Sequence, residues 1–203
     1  MSSLEFISIP PTLLASAIAV VRDVRRAVTL EATAPGQVLY AVGETGDALG
    51  CTEYAAMRGQ DGGAVPACRP ADFHRWYVRV AAAIEQGVAV AAHAPGRGGL
   101  ARSLFLLARA AGLGLSVDLS RLPVAGTPGW EALLFGESAG RLLLAVDPDR
   151  AGALEACLAC APFARIGSYD GGGRLRVALG GATLVDASVD DLARAWKREG
   201  GRP

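Results

Sequence analysis

Residues 88–122 read VAVAAHAPGRGGLARSLFLLARAAGLGLSVDLSRL, and this stretch decides the fold class. Val88–Ala92 is a short apolar run that ends at His93. Pro95, Gly96, Arg97, Gly98 and Gly99 break that strand and open a helix over Leu100–Ala111. Gly112 and Gly114 stop the helix, and Leu115, Val117 and Leu119 alternate as the next strand. A glycine loop feeding a helix N-terminus offers free N–H groups and the positive end of the helix dipole, both of which favour a phosphate. His93, Gly96, Arg97, Gly98 and Gly99 are therefore candidate phosphate- or ligand-binding residues, with Arg97 able to add a bidentate contact. The same residues also describe a plain strand-to-helix turn with an exposed arginine.

Working outward, the totals bound the rest. The 203 residues are 51% apolar, enough for one domain with a sizeable core. Formal net charge is zero, which argues against a dedicated nucleic-acid binder, because such a protein needs a basic face for phosphates. The apolar run Leu13–Val21 is too short to span a membrane and is followed by Arg22, Arg25 and Arg26. A secretory signal is not expected, and the expected compartment is the cytoplasm. Cys157 and Cys160 form a lone C-x-x-C pair inside an Ala/Leu-rich helical stretch, which reads as buried small hydrophobes. Two histidines are too few for a histidine-rich metal site, so no metal ligand is assigned.

In chain order, residues 1–13 read as a connector or the tail of an upstream domain. Residues 14–199 read as the domain, and 200–203 as a frayed tail. Leu14–Val21 is expected to be a buried strand. Val28, Leu30 and Ala32 alternate as an amphipathic strand, and Gln37–Val42 is the next strand. Asp72 is a plausible N-cap for a helix over Phe73–Glu85. Its stripe of Phe73, Trp76, Tyr77, Val80 and Ile84 faces the core rather than serving as a base-stacking platform, with His74 on the wet side. Leu142–Val146 is a buried strand, Arg150–Cys160 a helix, and residues 164–185 supply further strands before a closing helix over Asp190–Arg198. The fold class is α/β (α+β): a mixed sheet layered with helices, partly ferredoxin-like through its strand-helix-strand units.

Several stretches carry a family resemblance. They are IPPTLLASAIAVVRDVRRAVTLEATAPGQVLYAVGET at 9–45, ALGCTEY at 48–54, residues 98–123, LFGESAGRLLLAVDP at 134–148 and LVDASVDDLARAW at 184–196. In order and spacing the chain resembles the C-terminal domain of the aminoimidazole ribonucleotide synthetase superfamily. More narrowly, it resembles the last domain of small-type formylglycinamide ribonucleotide amidotransferases. Selenophosphate synthetases and hydrogenase-maturation proteins fit LGCTEY and LFGESAGR less well.

The resemblance implies an enzyme that uses ATP and Mg²⁺ to activate an amide oxygen. Ammonia from a glutaminase subunit then displaces phosphate to give the amidine. It also implies two similar halves, each an ATP-binding domain followed by a domain like this one, and a small accessory subunit. LFGESAGR looks like the second-half copy and makes Glu137, Ser138 and Arg141 substrate-proximal candidates; turn capping before a buried strand is their other reading. The first-half copy typically reads Ser-Glu-Ser-Gln-Glu-Arg, and Ala139 stands where its glutamine would be. Where the family usually shows Ala-His-Asp-Leu-Ser-Asp-Gly-Gly-Leu, this chain has Ala92-His93-Ala94-Pro95-Gly96-Arg97-Gly98-Gly99-Leu100. Both aspartates that a Mg²⁺-nucleotide site would want are gone.

The chain shows no Walker-type loop and no glutaminase nucleophile arrangement. It is expected to need the upstream ATP-binding domains for activity, and none of its residues is assigned a catalytic role or a cofactor of its own. The alternative is a diverged, non-catalytic module that holds a phosphate-bearing ligand at Gly96–Leu100.

Overall fold

Strand β1 (Val38–Val42) is buried at all five positions, and a strand with no solvent face needs helices on both sides of its sheet. The computed structural model describes residues 14–60 and 62–199. Within them β1, β2 (Ala89–His93), β3 (Gly114–Asp118), β4 (Leu142–Val146), β5 (Phe163–Asp170), β6 (Arg174–Leu179) and β7 (Ala182–Ser188) form one mixed sheet. Its order is β2-β4-β1-β5-β3-β6-β7. The expected connector 1–13 and tail 200–203 lie outside the described residues.

Strand β1 pairs antiparallel with β4 and with β5, so β4 and β5 run parallel with β1 between them. Helix α5 (Ala151–Leu158) makes that crossover. Strands β2 and β3 pair antiparallel with β4 and β5 respectively, so they too run parallel, joined by α3 (Gly99–Ala111). Two nested split strand-helix-strand units result, which is the ferredoxin-like part of the expected fold.

The period of two along β1 sorts its side chains between two cores. Leu39 and Ala41 join Leu143, Ala145 and Ile166 beneath Leu100, Leu104 and Leu107 of α3. Helices α4 (Trp130–Phe135) and α6 (Val189–Glu199) complete that layer through Leu133, Leu134 and Ala193. On the other face, Val38, Tyr40 and Val42 pack with Leu144 and Val146. Trp76, Val80 and Ala83 of α2 (Pro70–Glu85) and Leu154 and Leu158 of α5 cover them. A short helix, α1 (Glu53–Met57), sits in the β1–α2 connection, capped by the Thr52 hydroxyl.

Several expectations are corrected. Leu14–Val21 is neither buried nor part of a strand: Ile18 is fully exposed and Val20 is 92% exposed. Apolar composition predicts burial only when a partner is at hand, and within the described residues this segment meets little beyond Ile84 of α2, which shares a cleft with Val20 and Val21. Val28, Leu30 and Ala32 do point inward, but the backbone there makes one bridge, Thr29 to Ala91. Helix α2 starts at Pro70, whose preset φ suits the first helical position, with Arg69 rather than Asp72 at the cap. Its buried stripe is Trp76, Val80 and Ala83, while Tyr77 is exposed and His74 is on the wet side as expected. Cys157 is half-buried and Cys160 exposed, because α5 buries its Leu154/Leu158 side. Leu119 leaves β3 for a 3-10 turn yet keeps its side chain in the core.

Tyr40 links this core to the pH scale. Its hydroxyl donates to Glu155 Oε1 at 2.6 Å. Burial first, and the Glu155 carboxylate second, push its pKa up from an ordinary 10.0 to about 12. A raised pKa in the folded state is stabilising below the unfolded value and is lost as pH rises through the folded one. Stability should therefore fall between pH 10 and 12. Tyr40→Phe should flatten that fall in urea denaturation; an unchanged slope would contradict the assignment.

Candidate functional site

The site lies at the end of the sheet where β1 and β2 finish and β4 begins. Val42 stands opposite Leu142, and His93 opposite Leu143. Three loops meet there: the one after β1, the Ala94–Gly98 turn before α3, and Gly136–Arg141 between α4 and β4.

Side chains of the third loop hold the other two. Glu137 Oε1 accepts the Gly98 N–H and the Glu53 N–H, both at 2.9 Å. It thereby ties the start of α3 to the start of α1. Ser138 Oγ accepts the Gly46 N–H at 3.1 Å. Arg141 is 3% exposed. Its Nε donates to the Ser138 carbonyl at 3.1 Å, one terminal nitrogen to Thr45 Oγ1 at 3.1 Å, and the other to the Gly136 carbonyl at 2.6 Å. Burial lowers its pKa to about 10, and the Glu137 charge opposes that shift. The three substrate-proximal candidates thus come together, in the pattern expected of turn capping.

Glycines let the loops approach. Gly99 has φ +62°, and a Cβ there would lie 2.7 Å from the Phe135 carbonyl carbon and 2.8 Å from the Gly136 carbonyl oxygen. A Cβ on Gly140 would run into the Phe73 ring. The start of α3 is therefore pressed onto the end of α4, and the LFGESAGR turn onto the start of α2.

The Gly96–Leu100 loop differs from an open phosphate cradle. Arg97 is exposed but pairs with Glu53, donating from Nε to Oε1 at 2.6 Å. The Glu53 partner raises the pKa of Arg97. The Gly98 N–H is held by Glu137, and the Gly99 N–H donates to the Gly96 carbonyl at 2.9 Å. An incoming phosphate would have to displace two carboxylates. His93, half-buried at the end of β2, has its pKa lowered by burial and then by the Arg102 charge.

Residues missed in the sequence line a cavity of about 480 Å³ beside these loops. Glu44, Asp47, Arg69, Phe73 and Trp76 surround it together with Ser138. Arg69 forms an ion pair with Glu44, and the Phe73 and Trp76 rings lie 5.6 Å apart. The available signal was the Gly43-Glu44-Thr45 run directly after a buried strand, since ligands of α/β sheets gather at carboxyl ends. The donors at this end do not fit a Mg²⁺-nucleotide. Glu53 is taken by Arg97 and Glu137 by backbone N–H groups. Among the described residues no three His, Cys, Asp or Glu side chains cluster as metal ligands.

The family described as AIR synthase related protein, C-terminal domain, matches residues 34–180. The chain belongs to this family. The phosphoribosylformylglycinamidine synthase subunit PurL of Symbiobacterium thermophilum is 35% identical over 94% of this chain and 26% of its own length. PurL of Thermoplasma acidophilum is 29% identical over 93% of this chain and 24% of its own length. The chain thus spans about a quarter of the length of the curated relatives it matches. Among solved structures, T. maritima PurL complexed with FGAR has a TM-score of 0.73 at 20% identity, covering 84% of this chain and 30% of that one. HypE in the HypE–HypF complex scores 0.60 at 16% identity, covering 79% of this chain and 54% of that one. These last two likenesses show the fold alone.

Two substitutions test the site's construction. Gly99→Val places a β-branched side chain at a positive φ against the backbone of Phe135 and Gly136. It should cost about 3 kcal/mol or more, read as a lower urea midpoint; an unchanged midpoint would contradict the packing. Glu137→Ala leaves two N–H groups without their acceptor and should cost about 1–3 kcal/mol. Glu137→Gln keeps an oxygen acceptor and should retain most of the stability; equal loss in both variants would argue against the bridging role.

Proposed function

We propose that this chain is the C-terminal domain of the second half of a phosphoribosylformylglycinamidine synthase subunit. The reaction is the ATP-dependent amidation of formylglycinamide ribonucleotide in purine biosynthesis: the amide oxygen is activated by phosphorylation, and ammonia displaces phosphate. What carries this reading is the likeness to PurL, 35% identical across 94% of the chain. In this proposal ATP and Mg²⁺ belong to ATP-binding domains that the chain does not contain. A glutaminase subunit supplies ammonia, and a small accessory subunit completes the assembly, in the cytoplasm.

The chain's own residues shape the end of the sheet. Arg141, Glu137 and Ser138 hold three loops in one arrangement, and those loops border the cavity of Glu44, Arg69, Phe73 and Trp76. No helix among the described residues is long and apolar enough to cross a membrane, and zero net charge gives the chain no overall attraction to nucleic acid. The alternative, a module that binds a phosphate-bearing ligand at Gly96–Leu100, needs that ligand to displace Glu137 from Gly98 and Arg97 from Glu53.

The test is ATP- and ammonia-dependent conversion of formylglycinamide ribonucleotide. The chain is assayed alone and mixed with Symbiobacterium PurL truncated to remove the matched region. Turnover only in the mixture is the expected result. No turnover and no complex in the mixture would overturn the proposal.

A further inference from the structure

Helices α2 and α5 cover only part of their side of the sheet. The buried core beneath them draws on β1 and β4 and includes no residue of β3, β6 or β7. The buried residues of β3 and β6, Leu115, Val117, Leu175 and Val177, point the other way, into the core under α3. By the period of two their neighbours face outward, and the register lines these up across four strands. Ser168 of β5 stands opposite Ser116 of β3, Ser116 beside Arg176 of β6, and Arg176 opposite Asp186 of β7. Arg165 and Arg121 flank this row, and the short serine side chains leave room for a cleft of about 500 Å³ that all six residues line. It shares no residue with the cavity beside the three loops.

The charges on this face are unequally committed. Asp186 accepts Arg174 Nε at 2.7 Å. Asp118 accepts the Ser120 N–H at 3.0 Å and the Ser120 hydroxyl at 2.7 Å. Asp170, next to the row, accepts the Gly172 N–H at 2.7 Å and the Ser116 hydroxyl at 3.3 Å. Arg176 reaches Asp170 at 3.4 Å and Asp186 at 3.9 Å. Arg121 and Arg165 are exposed, and among the described residues neither pairs with a carboxylate. The Arg165 charge is felt at Tyr40, but Glu155 there is taken by the Tyr40 hydroxyl. What the face leaves uncommitted is therefore cationic.

We infer that the outer face of β5, β3, β6 and β7 is a docking surface for an extended acidic segment of a partner protein, with Arg121, Arg165 and Arg176 receiving its carboxylates. Guanidinium and carboxylate match as planar forks, and the serine trough lets a main chain lie close to the sheet. One exposed ion pair contributes little by itself; several carried on one segment reinforce each other, because the first raises the effective concentration of the next. Strands β5 and β7 stand three strand spacings apart, roughly 14 Å. A compact anion such as phosphate or ATP meets few of these guanidiniums, whereas an extended segment meets them together.

The probe is hexaglutamate, blocked at both ends and about 20 Å long when extended. It is titrated calorimetrically into the full chain at low ionic strength, with hexaglutamine as the neutral control. Hexaglutamate alone should bind saturably, and binding should vanish in about 1 M salt, where the screening length is about 3 Å. The double variant Arg121→Ala/Arg165→Ala should weaken it at least tenfold at an unchanged melting temperature. Arg79→Ala, which removes an exposed arginine of α2, should leave it unchanged. The amide resonances of Ser116 and Ser168 should shift during the titration. No saturable binding, equal binding of hexaglutamine, or equal weakening in Arg79→Ala would overturn the proposal. Hexauridylate binding as tightly as hexaglutamate would overturn it too, by naming nucleic acid as the occupant.

Discussion

A buried guanidinium is the constraint on which this end of the molecule depends. Arg141 is enclosed by protein, and among the described residues no carboxylate hydrogen-bonds to it. Its charge is met by the Gly136 and Ser138 carbonyls and the Thr45 hydroxyl. Burying a cation costs several kcal/mol unless its donors are matched, so those three acceptors must keep their places. Two of them flank Glu137. The turn that satisfies Arg141 is therefore the turn that aims the Glu137 carboxylate at Gly98 and Glu53, and Thr45 draws in the loop after β1.

A helix N-terminus and a glycine loop usually invite an outside anion; here an internal carboxylate takes the Gly98 N–H and an internal ion pair occupies Arg97. No carboxylate stands within Gly96–Leu100, and the two that reach this loop, Glu53 and Glu137, are engaged by Arg97 and by backbone N–H groups. The chain's own contribution is a surface in which three loops are tied together by Glu137, Ser138 and Arg141.

Much of the fold was legible because its signals are local. The β2–α3–β3 unit follows from one glycine-bounded helical period between two apolar runs, and β4 from five consecutive apolar residues. What was not legible depends on partners distant in sequence. Glu137 meets Gly98 across 39 positions and Glu53 across 84, and no pattern in the sequence announces either contact. The same holds for the cavity, whose residues Glu44, Arg69 and Trp76 converge only through packing. Leu14–Val21 failed for the opposite reason: its composition correctly describes a segment suited to burial, but not one buried by this chain. At α2, Asp72 and Pro70 are both good starting residues, and the preset φ of proline won.

The account stands most directly on the claim that Arg97 and the Gly98 N–H, the donors best placed for an anion, are already held by Glu53 and Glu137. Isothermal titration of inorganic phosphate, and separately of ATP, into the chain alone measures this. The expected result is no saturable heat with either at millimolar concentration, in wild type and in Arg97→Ala alike. Saturable phosphate binding that Arg97→Ala abolishes would contradict the account and make this loop a working anion site.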